Sequence, residues 1–180
     1  PKPGDPRLAN ASLRMIATPQ GSLDAAAKVA RDAGYHPILL GDDLEGEAHE
    51  LAAEHARLAM SQQKGVAILS GGETTVTVRG NGRGGRNAEY ALGLALALNG
   101  HPGIFGIACD TDGIDGTEDN AGAIIAPDTL SRAATAGLDA GAYLTNTDAY
   151  GFFAALGDLV MTGPTLTNVN DFRAIIIPPR

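Results

Sequence analysis

The chain has 180 residues, 44% hydrophobic and 19% charged, which excludes a disordered segment and allows one compact core burying about 70% of the unfolded surface. No run reaches the roughly 18 uninterrupted apolar residues that a membrane-crossing helix needs, and a net charge of −8, from 13 Lys plus Arg against 21 Asp plus Glu, speaks against nucleic acid or an anionic membrane as partner. A single cysteine, Cys109, cannot form an internal disulfide and fits a reducing, cytoplasmic compartment.

The chain starts on Pro1-Lys-Pro-Gly-Asp-Pro6, and three prolines in six residues read as a linker or hinge over 1–12, joining an upstream N-terminal domain to the domain 13–180. From there the pattern predicts a strand over Leu13–Ala17, a helix over Ser22–Ala33 stopped by Gly34, and a strand over Pro37–Leu40. A longer helix follows over Glu45–Ser61, with Leu51, Ala52, His55, Leu58 and Ala59 along one face. Strands over Val66–Ser70 and Thr74–Val78 precede a helix over Arg86–Leu98 that ends at Asn99-Gly100. Strands Ile104–Cys109 and Ala123–Ala126, helices Pro127–Ala136 and Asp148–Leu156, and strands Leu159–Thr162 and Ala174–Ile177 complete the series. Short apolar runs alternating with helices give an α/β class, a layered αβα domain with a largely parallel or mixed central sheet.

Three polar clusters each follow directly on an apolar strand: Gly71-Gly72-Glu73-Thr74, Asp110-Thr-Asp112-Gly113 and Thr162-Gly-Pro-Thr165. Ligands in open α/β sheets sit beyond the carboxyl ends of strands, so the three are expected to meet at one cleft. Between the first two lies Arg79-Gly-Asn-Gly82-Arg83-Gly84-Gly85-Arg86, which opens a helix. Glycines admit close approach of backbone N–H groups to an anion, and the helix N-terminus adds positive potential, so the segment reads as a phosphate cradle. It also fits G-x-G-x-x-G at Gly80, Gly82 and Gly85, but the Thr-rich run before it and the flanking Arg79 and Arg83 do not suit a dinucleotide turn. Asp110, Asp112 and Asp115 at the strand end are candidates for holding Mg²⁺ or a substrate hydroxyl, with Glu73 beside them, whereas Glu118 and Asp119 read as a solvated turn. In the stretch Thr162–Asp171, Thr165, Asn168, Asn170 and Asp171 can orient a small polar substrate. His49-Glu50 followed by His55 is not a zinc H-E-x-x-H, since Ala53 occupies the second histidine position, and both histidines read as helix-surface or edge residues. Cys109 reads as a small core residue, as do Tyr90, Leu94 and Leu98.

Together, Gly71–Gly80, Gly84-Gly-Arg-Asn-Ala-Glu89, Asp112–Thr117, Asn146–Tyr150 and Thr162–Asp171 resemble the C-terminal, or MOFRL, domain of class II glycerate kinases, in order and over essentially the whole chain. The resemblance implies transfer of the γ-phosphoryl group of ATP to D-glycerate with Mg²⁺, usually giving 2-phosphoglycerate, at a cleft shared with the N-terminal domain that holds the catalytic lysine. Within this reading Arg86, at the head of a helix after paired glycines, and Asp112 and Glu73, at neighbouring strand ends, are the catalytic candidates, and Gly71, Gly72, Thr74, Arg79, Gly82, Arg83, Gly84, Gly85, Asn87 and Glu89, with Thr165, Asn168, Asn170 and Asp171, are the candidate substrate or phosphate contacts. Some members of the family carry the label hydroxypyruvate reductase. An NAD(P)H-dependent reductase and a non-catalytic ligand-binding module are therefore the rival readings, and the oligomeric state, a homodimer included, stays open. The chain departs from the family pattern at Ala88, where Gln commonly stands.

Overall fold

The computed structural model describes residues 2, 4–10, 12 and 14–179, with nothing said of the Leu8 side chain. Six strands, β1 (His36–Leu39), β2 (Val66–Ser70), β3 (Phe105–Asp110), β4 (Gly122–Ile125), β5 (Leu159–Val160) and β6 (Asp171–Ile177), form one sheet in the order β1-β2-β6-β3-β4-β5. The helices are α1 (Pro19–Asp32), α2 (Ala48–Met60), α3 (Arg86–Leu98), α4 (Thr129–Thr135), α5 (Ala140–Thr145) and α6 (Ala149–Leu156). Within this sheet β1 and β2 pair in parallel, while β6 lies antiparallel to both β2 and β3, as β4 does to β3 and β5. The sheet is thus mixed and mostly antiparallel. Alternation of strands and helices does not report strand direction; no helix separates β3 from β4, which suits an antiparallel neighbour, whereas a parallel one needs a crossover.

Helices cover both faces. On one side Leu23 and Ala27 of α1 pack against Leu69 and Ala174, leaving Phe105 and Ile124 partly exposed. On the other, α2 to α6 bury Ala52, Tyr90, Leu94, Phe152 and Phe153 against Ile68, Ala108, Ile125 and Ile175. Local chemistry sets the helix ends: Thr18 Oγ1 accepts the Gly21 N–H at 3.0 Å and Pro19 occupies the first turn, so α1 starts three residues before the expected Ser22. Asp148 caps α6 as expected, and Asn99 ends α3 in the left-handed region at φ 47°. Helix α5, capped by Asp139, was hidden in the sequence by its shortness.

Two expected strands are absent. In Leu13–Ala17, Leu13 lies outside the described residues and residues 14–17 form no strand. The Thr74–Val78 run is not a strand either; Gly72 and Thr75 make isolated parallel bridges to Leu44 and Glu47 before the chain turns into the arginine loop. Of the expected linker 1–12, residues 1, 3 and 11 lie outside the described residues, and Pro6–Leu8 form a single 3-10 turn. No helix among the described residues is long and apolar enough to cross a membrane.

Candidate functional site

The ends of β2 and β3 and the start of β6 share one edge of the sheet, because Asp110 and Asp171 are register partners and the Asp171 N–H donates to Gly72 O at 3.0 Å. The third cluster joins them: the Thr165 N–H donates to Asp112 O at 2.9 Å, and Thr165 Oγ1 donates to Thr111 O at 2.5 Å. Asn168 Nδ2 reaches Asp112 Oδ2 at 3.5 Å, and Asn170 turns the chain into β6 with φ 64°, a conformation asparagine tolerates.

At this junction a fully buried carboxylate, Asp171, faces two guanidinium groups. Arg86 Nε donates to Asp171 Oδ1 at 2.9 Å and its Nη2 to Asp110 Oδ2 at 2.6 Å, with Glu73 Oε1 at 3.7 Å. Arg173 Nη2 donates to Asp171 Oδ2 at 2.5 Å and to Thr74 Oγ1 at 3.1 Å, while its Nη1 donates to Gly71 O at 2.9 Å. Asn87 Nδ2 adds a further bond to Asp171 at 2.8 Å. Burial pushes Asp110 up to about 6, against the pull of the Asp112 N–H and of Arg86. Burial also works against the Arg86 charge, but Asp171, Asp110 and Glu73 outweigh it and its pKa is raised. Sequence reasoning missed Arg173, which stands just before the expected strand Ala174–Ile177. Its signal was a cation two residues after Asp171 at the head of an apolar strand, where a charge needs a buried partner.

The arginine loop is not an open cradle. N–H groups of Arg79, Asn81, Gly82 and Arg83 donate to Thr147 Oγ1, Asn146 Oδ1, Asn146 O and Asp148 Oδ1, so four of the loop's expected phosphate donors are used within the chain. Gly82 lies so close to the α5–α6 junction that a Cβ there would come within 2.6 Å of Asp148 Cα. Gly84 passes beside Ala149 and Tyr150, and the Tyr150 N–H donates to Arg83 O. The anion position at the start of α3, just after Gly85, is taken by Asp115, whose carboxylate accepts N–H groups of Asn87 at 3.0 Å and Ala88 at 2.8 Å. Burial raises the Asp115 pKa, with those bonds opposing. Asp119 is exposed in the turn, as expected, and accepts from the Tyr150 hydroxyl, whereas Glu118 is half-buried and pairs with Arg83, whose guanidinium stacks 4.3 Å from the Tyr150 ring centre. Ala88 is buried in the core, so the departure from the family pattern falls on packing.

Arg79 and Glu89 line a separate cavity with His49, Thr77, Leu144, Thr145 and Thr147. Of the two helix-α2 histidines expected at the surface or an edge, His49 is half-buried, 2.9 Å from Glu89, whereas His55 departs from the expectation: it is buried and its Nδ1 sits 2.7 Å from the Tyr90 hydroxyl. Cys109 is a packing residue, its thiol pushed up to about 12 by burial and then by Asp115, Asp110 and Asp171. Of three or more metal-ligating side chains, the described residues gather one group, Glu47, His49 and Glu89, so Asp110, Asp112 and Asp115 form no cage.

This chain is similar to proteins of one family. The MOFRL family matches residues 66–171. A protein of Agrobacterium vitis carrying the label hydroxypyruvate reductase is 55% identical over 174 residues, 92% of this chain and 40% of its own length. The D-glycerate 2-kinase of Thermotoga maritima is 37% identical over 171 residues, 91% of this chain and 41% of its own. The crystal structure of a glycerate kinase from Thermotoga maritima superimposes with a TM-score of 0.87 at 36% identity, covering 92% of this chain and 42% of that one. The chain therefore spans about two fifths of the length of these relatives, and it belongs to the MOFRL family.

Proposed function

We propose that this chain forms one wall of a glycerate kinase active site, at which the γ-phosphoryl group of ATP passes to D-glycerate and gives 2-phosphoglycerate, the other wall coming from an N-terminal domain of the same polypeptide. The observation that carries the reading is Arg86: its guanidinium is fixed by Asp110 and Asp171 yet keeps 22% of its side-chain surface open where three strand-end clusters meet. Phosphoryl transfer asks for positioned positive charge more than for covalent chemistry. A glycerate hydroxyl oxygen attacks the γ-phosphorus and gives up its proton to solvent, the bond to the ADP oxygen breaks, and an oriented guanidinium meets the charge on the transferring oxygens.

With four of the loop amides engaged, the Arg86 side chain carries this contact, while Arg83 is held by Glu118 and the Tyr150 ring and Arg79 faces the separate cavity. The carboxylates fit Mg²⁺ in a restricted way. Asp110 is paired with Arg86 and Asp115 with the α3 amides, so Asp112 is the carboxylate that would hold the ion, and a nucleotide-bound Mg²⁺ needs only one or two. Bound there, Mg²⁺ would neutralise phosphate charge. Thr165 and Asn168, tied to the Asp112 segment, position the edge where glycerate would lie.

The test uses the full-length polypeptide. Arg86→Ala is expected to lower kcat by about 10²-fold or more, and Asp112→Asn to raise the Mg²⁺ concentration needed for half-maximal rate. An unchanged kcat in a folded Arg86→Ala protein overturns the role of Arg86. NADH oxidation with hydroxypyruvate, without glycerate-dependent ADP release, overturns the kinase reading in favour of a reductase.

A further inference from the structure

Glu47, His49 and Glu89 lie outside the Arg86 cluster and share no residue with it. Glu47 stands at the position just before α2, His49 sits in its first turn, and Glu89 projects from the first turn of α3. The two helices approach so closely that a Cβ at Gly93 would stand 2.9 Å from His49 Cα, which fixes where the imidazole meets α3. His49 Nδ1 is 2.9 Å from Glu89 Oε1, and one ligand atom from each of the three residues lies within 4.8 Å of the others. Glu89 is 5% exposed, and that imidazole is its one side-chain hydrogen-bond partner among the described residues. A buried carboxylate so thinly compensated beside a second carboxylate calls for positive charge. Arg79, in the wall of the adjoining cavity of about 250 Å³, makes no ion pair among the described residues.

We infer that these three side chains form a binding site for a divalent first-row transition ion of the zinc type. Imidazole plus carboxylate oxygen is a donor set suited to zinc, cobalt or manganese, whereas magnesium prefers oxygen alone. Ligands about 2.1 Å from zinc stand about 3 to 3.5 Å apart, close to the His49–Glu89 separation. The ion enters between Nδ1 and Oε1, and the Nδ1 proton that bridged them leaves to solvent. Outer contacts are already in place: the Thr77 N–H donates to Glu47 Oε2 at 3.2 Å and the Thr77 hydroxyl to Glu47 Oε1, orienting that carboxylate. The remaining coordination positions face the cavity, where Arg79, Thr145 and Thr147 suit a bound water or a small anion.

The experiment is calorimetric titration of the tag-free 180-residue chain, stripped by chelator, with Zn²⁺ and with Co²⁺, alongside the thermal transition of each sample. One ion per chain is expected, with a rise in melting temperature. His49→Ala is expected to weaken binding at least about 100-fold and Thr77→Val about 10-fold. Glu89→Gln retains an acceptor for His49 and decides the matter if His49→Ala fails to fold; it too is expected to weaken binding at least about 100-fold. Absence of saturable binding below about 1 mM Zn²⁺, or binding unchanged in Glu89→Gln, overturns the proposal and leaves a structural His–Glu pair.

Discussion

Asp171 shows how much one side chain holds in this molecule. Its two oxygens receive Arg86, Arg173 and Asn87, and the Thr74 N–H approaches at 3.4 Å. Removing its charge strands Arg173, 1% exposed, without an anion. Asp171→Asn is therefore expected to destabilise the chain by about 3–5 kcal/mol, measured by urea unfolding. His55 gives a second residue-scale prediction. Burial, and then the charge of Arg173, push it down to about 4 from an ordinary 6.5. The unfolded chain thus binds a proton at His55 where the folded chain does not. This contribution is fully present above pH 6.5 and is lost as pH falls from there to 4, by about 3 kcal/mol in all. Asp110, with its raised pKa, acts in the opposite sense over much of the same range, so the contribution is isolated by comparing the parent with His55→Asn. Unfolding free energies at pH 7.5 and 4.5 are expected to differ less in the variant, and equal differences would refute the assignment.

At the scale of elements, the start of α3 is held by a carboxylate from another segment. Asp115 accepts two backbone N–H groups that would otherwise be buried without partners, and Asp115→Ala is expected to cost about 2 kcal/mol, read as a lower melting temperature. Asp148 works at two ends, capping α6 through the Gly151 N–H and tethering the arginine loop through the Arg83 N–H. Asp148→Ala is expected to speed hydrogen exchange at both amides while leaving the core amides of β2 and β3 protected. Exchange unchanged at Arg83 would mean that its other contacts, Glu118 and the Tyr150 ring, suffice to hold the loop.

On the scale of the whole molecule, the sheet is covered by helices on both faces and carries a continuous core, so the 180-residue chain is expected to unfold in one cooperative thermal transition. Under the proposed function an N-terminal domain supplies the opposing wall that holds the reacting groups in near-attack geometry, so the isolated chain is expected to release no glycerate-dependent ADP at a kinase rate of roughly 1–100 s⁻¹. Turnover at that rate would place the complete active site within these residues.

The sequence by itself determined whatever depends on neighbours along the chain. Periodicity and caps gave α3 at its true limits, β2 residue for residue, and the Asp148 cap, because helix and strand signals are local. The polar clusters after β2, β3 and β5 were legible as strand-end groups for the same reason, and so was Arg86 as the head of a helix. Tertiary structure decided what depends on partners far away in sequence. Strand direction follows from where β6 inserts, 101 residues after the end of β2 at Ser70 up to its start at Asp171. The arginine loop looked open because its glycines and charges are local, while the groups that occupy its amides, Asn146 to Asp148, come from a distant turn. Arg173 and the Glu47–His49–Glu89 group stayed hidden because ion pairing and metal ligation are set by distance in space, which only the packing of β6 against β2 and of α2 against α3 brings about.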